Sequence, residues 1–144
     1  MILVDTTVWS LALRRRPRDL NPMERRHVRE WERLIRDGTA ALIGPIRQEL
    51  LSGVRDKHVW GRLRAALQPF PDLPLAGSDY ERAAEFFNQC HAKGIVGSAI
   101  DLLICSASAR HDAPIYTLDA DFGRYAPVLG LKLHTPASAR THPG

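Results

Sequence analysis

"SAIDLLICSASARHDAPIYTLDAD", residues 98–121, is where the chain declares its fold. Residues 98–111 are apolar on most sides, which predicts a helix buried at the centre of the molecule. Asp101 stands in its first turn, three residues after Ser98. Pro114–Leu118 is an apolar run too short for a helix and reads as a strand. Asp119 follows it directly, and Asp121 comes two residues later. Acids are seldom buried without a partner, so an acid early in the most apolar helix needs an explanation.

The same alternation runs back to the N-terminus. Ile2–Val4 predicts a buried strand, and Thr6–Leu13 begins a helix with Asp5 or Thr6 as its cap. "RRRPRDLNP" (14–22) is a basic loop. Pro22–Arg36 predicts a helix with Val28, Trp31, Leu34 and Ile35 on one face, ended by Gly38. Ala40–Ile43 is a second strand, after which Gly44-Pro45 opens a helix that carries Glu49 about one turn in. Asp56–Leu67 is a further helix. "QPFPDLPLAG" (68–77) is a proline-rich connection with room for a brief strand at Leu73–Leu75. Ser78 or Asp79 caps a helix reaching about Lys93, with Tyr80, Ala83, Ala84, Phe87 and Cys90 inward. "KGIVG" (93–97) is a turn, "DADFGRYA" (119–126) a loop or short helix, and Leu131–His134 a last edge strand. Short strands alternating with helices specify an α/β domain with a mostly parallel central sheet of four to five short strands, flanked by helices. Residues 1–135 form one domain and 136–144 a flexible C-terminal tail.

Composition sets the outer bounds. At 144 residues, 44% hydrophobic and 25% charged, the chain is an ordinary globule of one domain. No apolar stretch approaches the roughly 20 residues of a membrane span, and no secretory signal is apparent, so the expectation is a cytoplasmic protein without membrane contact. Cys90 and Cys105 fall in apolar, helix-like stretches and read as buried free thiols; without a CxxC a zinc site finds no support. The six histidines are scattered, and the three tryptophans suit helix packing better than base stacking. Charge is uneven. Arg14–Arg36 holds nine arginines against four acids, a net of +5, whereas the whole chain carries +4. Arginine's planar fork suits phosphate, although charge runs are usually solvated helix faces.

In a parallel sheet, functional groups collect beyond the carboxyl ends of the strands. Asp5, Glu49 and Asp119 therefore belong to one edge of the sheet, and Asp101 and Asp121 join them. Each acid also has a plain structural reading. Asp5 fits an N-cap, Ser98 and Asp101 fit a capping box, Asp119 fits an Asx-turn, Asp121 fits the surface, and Glu49 could pair with Arg47 or Arg55. The joint pattern favours a cluster. Clustered carboxylates repel one another, and a divalent cation removes that conflict. All-oxygen ligation points to a hard ion, Mg²⁺ or Mn²⁺.

With these residues placed, the chain resembles a PIN-domain ribonuclease, specifically the VapC toxin of a VapBC type II toxin–antitoxin pair. The resemblance rests on "ILVDTTVW" (2–9), "IRQELLSG" (46–53), "GSAIDLLICSASA" (97–109) and "IYTLDADFGRYA" (115–126). It implies an acidic quartet of Asp5, Glu49, Asp101 and Asp119, with Asp121 as a fifth acid, and metal held by Asp5, Asp101, Asp119 and Asp121. It further implies that Thr7 orients the first aspartate and that Thr117 supports the last acidic pair. The expected activity is Mg²⁺- or Mn²⁺-dependent cleavage of RNA. The expected partners are a VapB-type antitoxin and a second copy of the chain, in a homodimer and in a heterotetramer or larger with antitoxin. The basic segment Arg14–Arg36 departs from the family pattern.

Other readings fit less well. An aspartate-nucleophile phosphatase needs D-x-D after the first strand, and Thr7 stands at the second position. A phospho-acceptor domain needs an adjacent acidic pair near the first strand and a strand-end lysine. A catalytically inactive PIN scaffold, binding nucleic acid or protein, is the alternative that a cleavage assay separates. Neither GxGxxG nor GxxxxGK[ST] occurs.

Overall fold

The computed structural model describes residues 1–137. The tail expected at 136–144 lies, beyond Ala137, outside the described residues. Among the described residues, seven helices surround a three-stranded parallel sheet in the order β2-β1-β3, where β1 is Ile2–Val4, β2 Ala40–Ala41 and β3 Ile115–Tyr116. Register pairs Leu3 with Ala41 on one side and with Ile115 on the other. Leu3 and Val4 point to opposite faces, and both are completely buried, so helices cover the sheet on both sides as an all-parallel sheet requires.

The expected fourth and fifth strands shrink to single parallel bridges at the two edges, Leu42 with Asp72 and Ile115 with Leu133. Proline sets the first limit. Pro71 and Pro74 flank the bridging residue and have no N–H to extend the ladder. β3 is also shorter than Pro114–Leu118. Past Tyr116 the backbone is taken up by side chains, the Leu118 N–H donating to Thr7 Oγ1 at 2.9 Å and the Asp119 N–H to Thr117 Oγ1 at 3.0 Å, which ends the strand.

The helices are α1 (Thr6–Arg14), α2 (Pro22–Arg36), α3 (Gly44–Leu51), α4 (Lys57–Leu67), α5 (Gly77–Ala92), α6 (Ala99–His111) and α7 (Phe122–Leu129). A 3₁₀ turn at Pro17–Asp19 sits in the basic loop. α6 is the central helix that its sequence predicts, with Leu102 through Ser108 all buried. α5 differs from expectation in its inward stripe. Asp79, Ala83 and Cys90 are buried, while Tyr80 and Ala84 face solvent. Ala76, not Ser78 or Asp79, is the N-cap residue, and Asp79 serves the cap from the third helical position. Its carboxylate accepts the Ala76 N–H and pairs with Arg110, and this pairing is what allows an acid at a buried position. Trp60 is exposed on α4, whereas Trp9 is fully buried and meets Trp31 edge-on at 5.7 Å. Both cysteines are buried and free.

Two polar clamps fasten the irregular segments. Glu30, buried on α2, is bound by Arg33 and His134 and accepts the Ala137 N–H at 3.4 Å. Arg33 above all holds its carboxyl down at about 2. Arg47 on α3 donates to the Leu67 and Phe70 carbonyls at 2.9 Å each and pairs with Asp72 at 3.0 Å. It thereby caps α4 and holds the 68–72 connection against the sheet. Arg47→Met strands those carbonyls and should destabilise the protein by about 1–3 kcal/mol. A urea midpoint equal to the wild type would show that water replaces the guanidinium without cost.

Candidate active site

Asp5 stands between β1 and α1. Its N–H donates to the Tyr116 carbonyl at 2.9 Å, and its own carbonyl accepts the Val8 N–H at 3.1 Å. The backbone is thus pinned to strand and helix together. Its side chain makes no cap bond. Instead Oδ2 accepts two hydroxyls, Thr7 at 3.0 Å and Thr117 at 2.7 Å, and the residue is only 6% exposed.

Asp101 lies in the first turn of α6. Half of the expected capping box exists, since Ser98 Oγ accepts the Asp101 N–H at 3.0 Å. The carboxylate does not return to the Ser98 N–H. It accepts the Tyr125 hydroxyl from α7 at 2.9 Å. Asp119 makes the Asx-type bond expected of it, Oδ1 accepting the Asp121 N–H at 2.9 Å. Asp121 pairs with Arg124 at 3.1 Å on the exposed first turn of α7. Glu49, with Arg47 engaged elsewhere, is in no ion pair among the described residues.

Asp101, Asp119 and Asp121 each offer a ligand oxygen, and the three oxygens lie within 4.8 Å of one another. Asp5 and Glu49 are not in that trio, but they line the same cleft as Asp101 and Asp119. The cleft is about 670 Å³. Electrostatics tie Asp5, Glu49, Asp101 and Asp119 together. Burial, with added push from Asp119 and Asp5, raises the Asp101 carboxyl above the usual aspartate range despite the Tyr125 bond. Burial and then the Asp5 charge raise Glu49. Charge held at a cost, on oxygen donors alone, is the setting that a hard divalent cation relieves.

Arg14 and Arg15, at the end of α1, stand on the wall of the same cleft. Arg15 reaches Glu24 at 3.5 Å, and Arg14 is in no ion pair among the described residues. Ile100 and Leu118 bring exposed apolar surface to the rim.

A strand-end aspartate, a half-buried helical aspartate and a final acidic pair meeting beside one parallel sheet match a known architecture. The PIN-domain family model aligns with residues 2–127. The chain belongs to the PIN-domain family. Among solved structures, this PIN domain is similar to a chain in the crystal structure of FitAcB from Neisseria gonorrhoeae. The TM-score is 0.74 at 23% identity, covering 94% of this chain and 98% of that one. It is also similar to a chain of FitAB bound to an IR36 DNA fragment, with TM-score 0.74 at 22% identity, covering 94% and 95%. No curated protein matches the sequence.

Sequence reasoning missed Tyr125. Its signal was available: once residues 122–129 are read as a helix rather than a loop, position 125 falls one turn past Asp121, on the same face. It also left Arg14 and Arg15 unassigned, because a loop of arginines carries no periodicity to aim them.

Among the described residues, no helix is long and apolar enough to cross a membrane.

Proposed function

We propose that this PIN domain is a metal-dependent endoribonuclease, acting as the toxin of a type II toxin–antitoxin pair. The observation that carries the reading is the convergence of Asp101, Asp119 and Asp121, with Asp5 and Glu49 lining the same arginine-walled cleft. Family membership supports it, since PIN domains are generally nucleases. Asp5, Asp101, Asp119 and Asp121 would hold Mg²⁺, with Mn²⁺ as a substitute. A divalent cation bound there supplies Lewis-acid polarisation of the phosphodiester and makes water more acidic.

The chain's own groups do the rest. Thr7 and Thr117 hold Asp5 in one orientation by hydrogen bonds to a single oxygen, leaving the other oxygen for the cleft. Glu49, with its carboxyl raised toward neutrality by burial and by Asp5, is suited to take the proton of the attacking water. Water adds to phosphorus in line, the P–O3′ bond breaks, and the products carry a 5′-phosphate and a 3′-hydroxyl. Arg14 and Arg15 bind neighbouring phosphates, which makes affinity fall with salt. Ile100 and Leu118 offer apolar contact to an unpaired base. An RNA loop can present such a base, whereas the A-form groove hides its own.

The partners follow the same reading. The apolar groove of about 410 Å³ between α5 and α6, where Tyr80 and Ala84 face outward, suits a second copy of the chain. An antitoxin would act by blocking the acidic cleft. The neighbour solved as FitAB on DNA supports a two-component assembly.

Mapping cleavage ends in total cellular RNA tests the activity. Discrete 5′-phosphate ends should appear with Mn²⁺ and vanish with EDTA. The same fragments in EDTA, or none with any divalent ion, would sink the proposal.

A further inference from the structure

The phenol that touches Asp101 has a role that the acidic quartet does not describe. Tyr125 is 1% exposed, and a buried hydroxyl must find a partner. Its partner is Asp101 Oδ2, at 2.9 Å. We infer that Tyr125 is a positioning residue for Asp101, holding that carboxylate in the acidic cluster so that the cluster binds a divalent cation. This inference rests on the metal-dependent reading of the site.

Three features support it. The first is the alternative open to Asp101. Ser98 and Asp101 have capping-box spacing, and Ser98 already accepts the Asp101 N–H. Without the phenol, the carboxylate could swing back to the Ser98 N–H, the usual bond of that motif, and leave the cluster. Tyr125 competes with that local sink. The second is the rigidity of the phenol. Its ring meets Phe122 edge-on at 5.3 Å, and its N–H donates to the Asp121 carbonyl at 3.2 Å. The group that orients Asp101 is therefore tied through the backbone to the residue carrying the third carboxylate. The third is Gly97. A Cβ there would collide with the Leu102 side chain and lie 3.1–3.2 Å from the Tyr125 ring. The residue just before the α6 cap is thus stripped to hydrogen where the phenol packs. A supporting hydrogen bond of this type is worth roughly 10–100-fold in metal affinity.

Tyr125→Phe deletes one oxygen and keeps the ring. Mn²⁺ binding, measured on the metal-free protein by electron paramagnetic resonance or calorimetry, should weaken by about 10–100-fold. The variant's kcat for RNA at saturating Mn²⁺ should return close to wild type, because the change acts through occupancy. A merely structural role would lower the urea midpoint and kcat together and leave Mn²⁺ affinity in the folded fraction untouched. That result, or wild-type Mn²⁺ affinity in the variant, would overturn the inference while wild-type cleavage still supports the nuclease reading. A wild type that neither binds Mn²⁺ nor cleaves RNA would overturn both. A second measurement needs no variant. Mg²⁺ should perturb the near-ultraviolet tyrosine band of the wild type, since the Tyr116 hydroxyl bonds to His27 and neither it nor the Tyr80 hydroxyl bonds to an acid of the cluster, and a band unchanged at saturating Mg²⁺ would overturn the inference if Tyr125→Phe fails to fold.

Discussion

Asp101→Asn should lower the proposed metal-dependent RNA cleavage by at least about 10²–10³-fold and, at neutral pH, should make the metal-free protein harder to unfold. Loss and gain come from one charge. Asparagine has the same shape, its Oδ1 still accepts the Tyr125 hydroxyl, and its backbone N–H still donates to Ser98 Oγ. What disappears is an anion that burial and the nearby Asp119 and Asp5 charges disfavour. The sign follows from linkage. A carboxyl raised in the folded state contributes stability below its unfolded pKa, and that contribution is lost as pH rises through the folded pKa. At neutral pH the wild type has lost it, and the asparagine variant has nothing to lose. The stability difference should therefore be present above the carboxylate range and fade in acid. Cation binding reverses the comparison. It requires the deprotonated acid, so stabilisation of the wild type by Mn²⁺ should grow from acid toward neutral pH, with little such growth in the variant. Urea midpoints at two pH values, with and without Mn²⁺, read all four terms. Cleavage at the wild-type rate, or a variant no more stable than wild type at neutral pH, would mean that Asp101 is an ordinary helix-start acid.

That acid could be located from sequence because its setting is periodic. An apolar helix with one early carboxylate has few arrangements, and the strand–acid order at Val4–Asp5 and at Leu118–Asp119 places both acids at one sheet edge whatever the loops do. The alternation of elements specified the parallel order in the same way, since a strand–helix–strand crossover leaves little choice. Less legible were features decided by competition between side chain and backbone. β3 stops at Tyr116 because Thr7 and Thr117 take the N–H groups a longer strand would use, and Thr117 reads equally well as a strand residue. The inward stripe of α5 turned on Asp79, which is buried only because Arg110, 31 residues later, neutralises it. Hydrophobic periodicity alone pushes Asp79 out and pulls Tyr80 in. The Tyr125–Asp101 bond spans 24 residues between two helices; spacing puts Tyr125 on the face of Asp121 but does not name Asp101 as its partner.

Trp9→Ala should cost about 3–5 kcal/mol, the largest stability loss expected of a single substitution here. The indole is fully buried on α1. It packs edge-on against Trp31 of α2 at 5.7 Å and against Phe70, in the connection clamped by Arg47, at 4.9 Å. Its Nε1 donates to the Val4 carbonyl at 2.9 Å, the last residue of β1. One ring therefore joins the first strand, two helices and the 68–72 connection, and no neighbour can fill the volume without moving α1. Against a total stability of about 5–15 kcal/mol, the loss leaves a weak domain or none. The damage should also reach the cleft, because α1 begins beside Asp5 and ends at Arg14. Loosening α1 from β1 frees the first carboxylate from Thr7 and Thr117 and swings the arginine wall away from the acids. RNA cleavage should therefore fail at urea concentrations below those that remove helical circular dichroism, whereas the two losses coincide in the wild type. Trp9→Phe serves as the control. It keeps most of the packing, loses the bond to Val4, and should fall between wild type and Trp9→Ala. A Trp9→Ala protein within about 1 kcal/mol of wild type, well below the usual cost of so large a truncation, would mean that α1 is held by its remaining contacts and that the cleft does not depend on this ring.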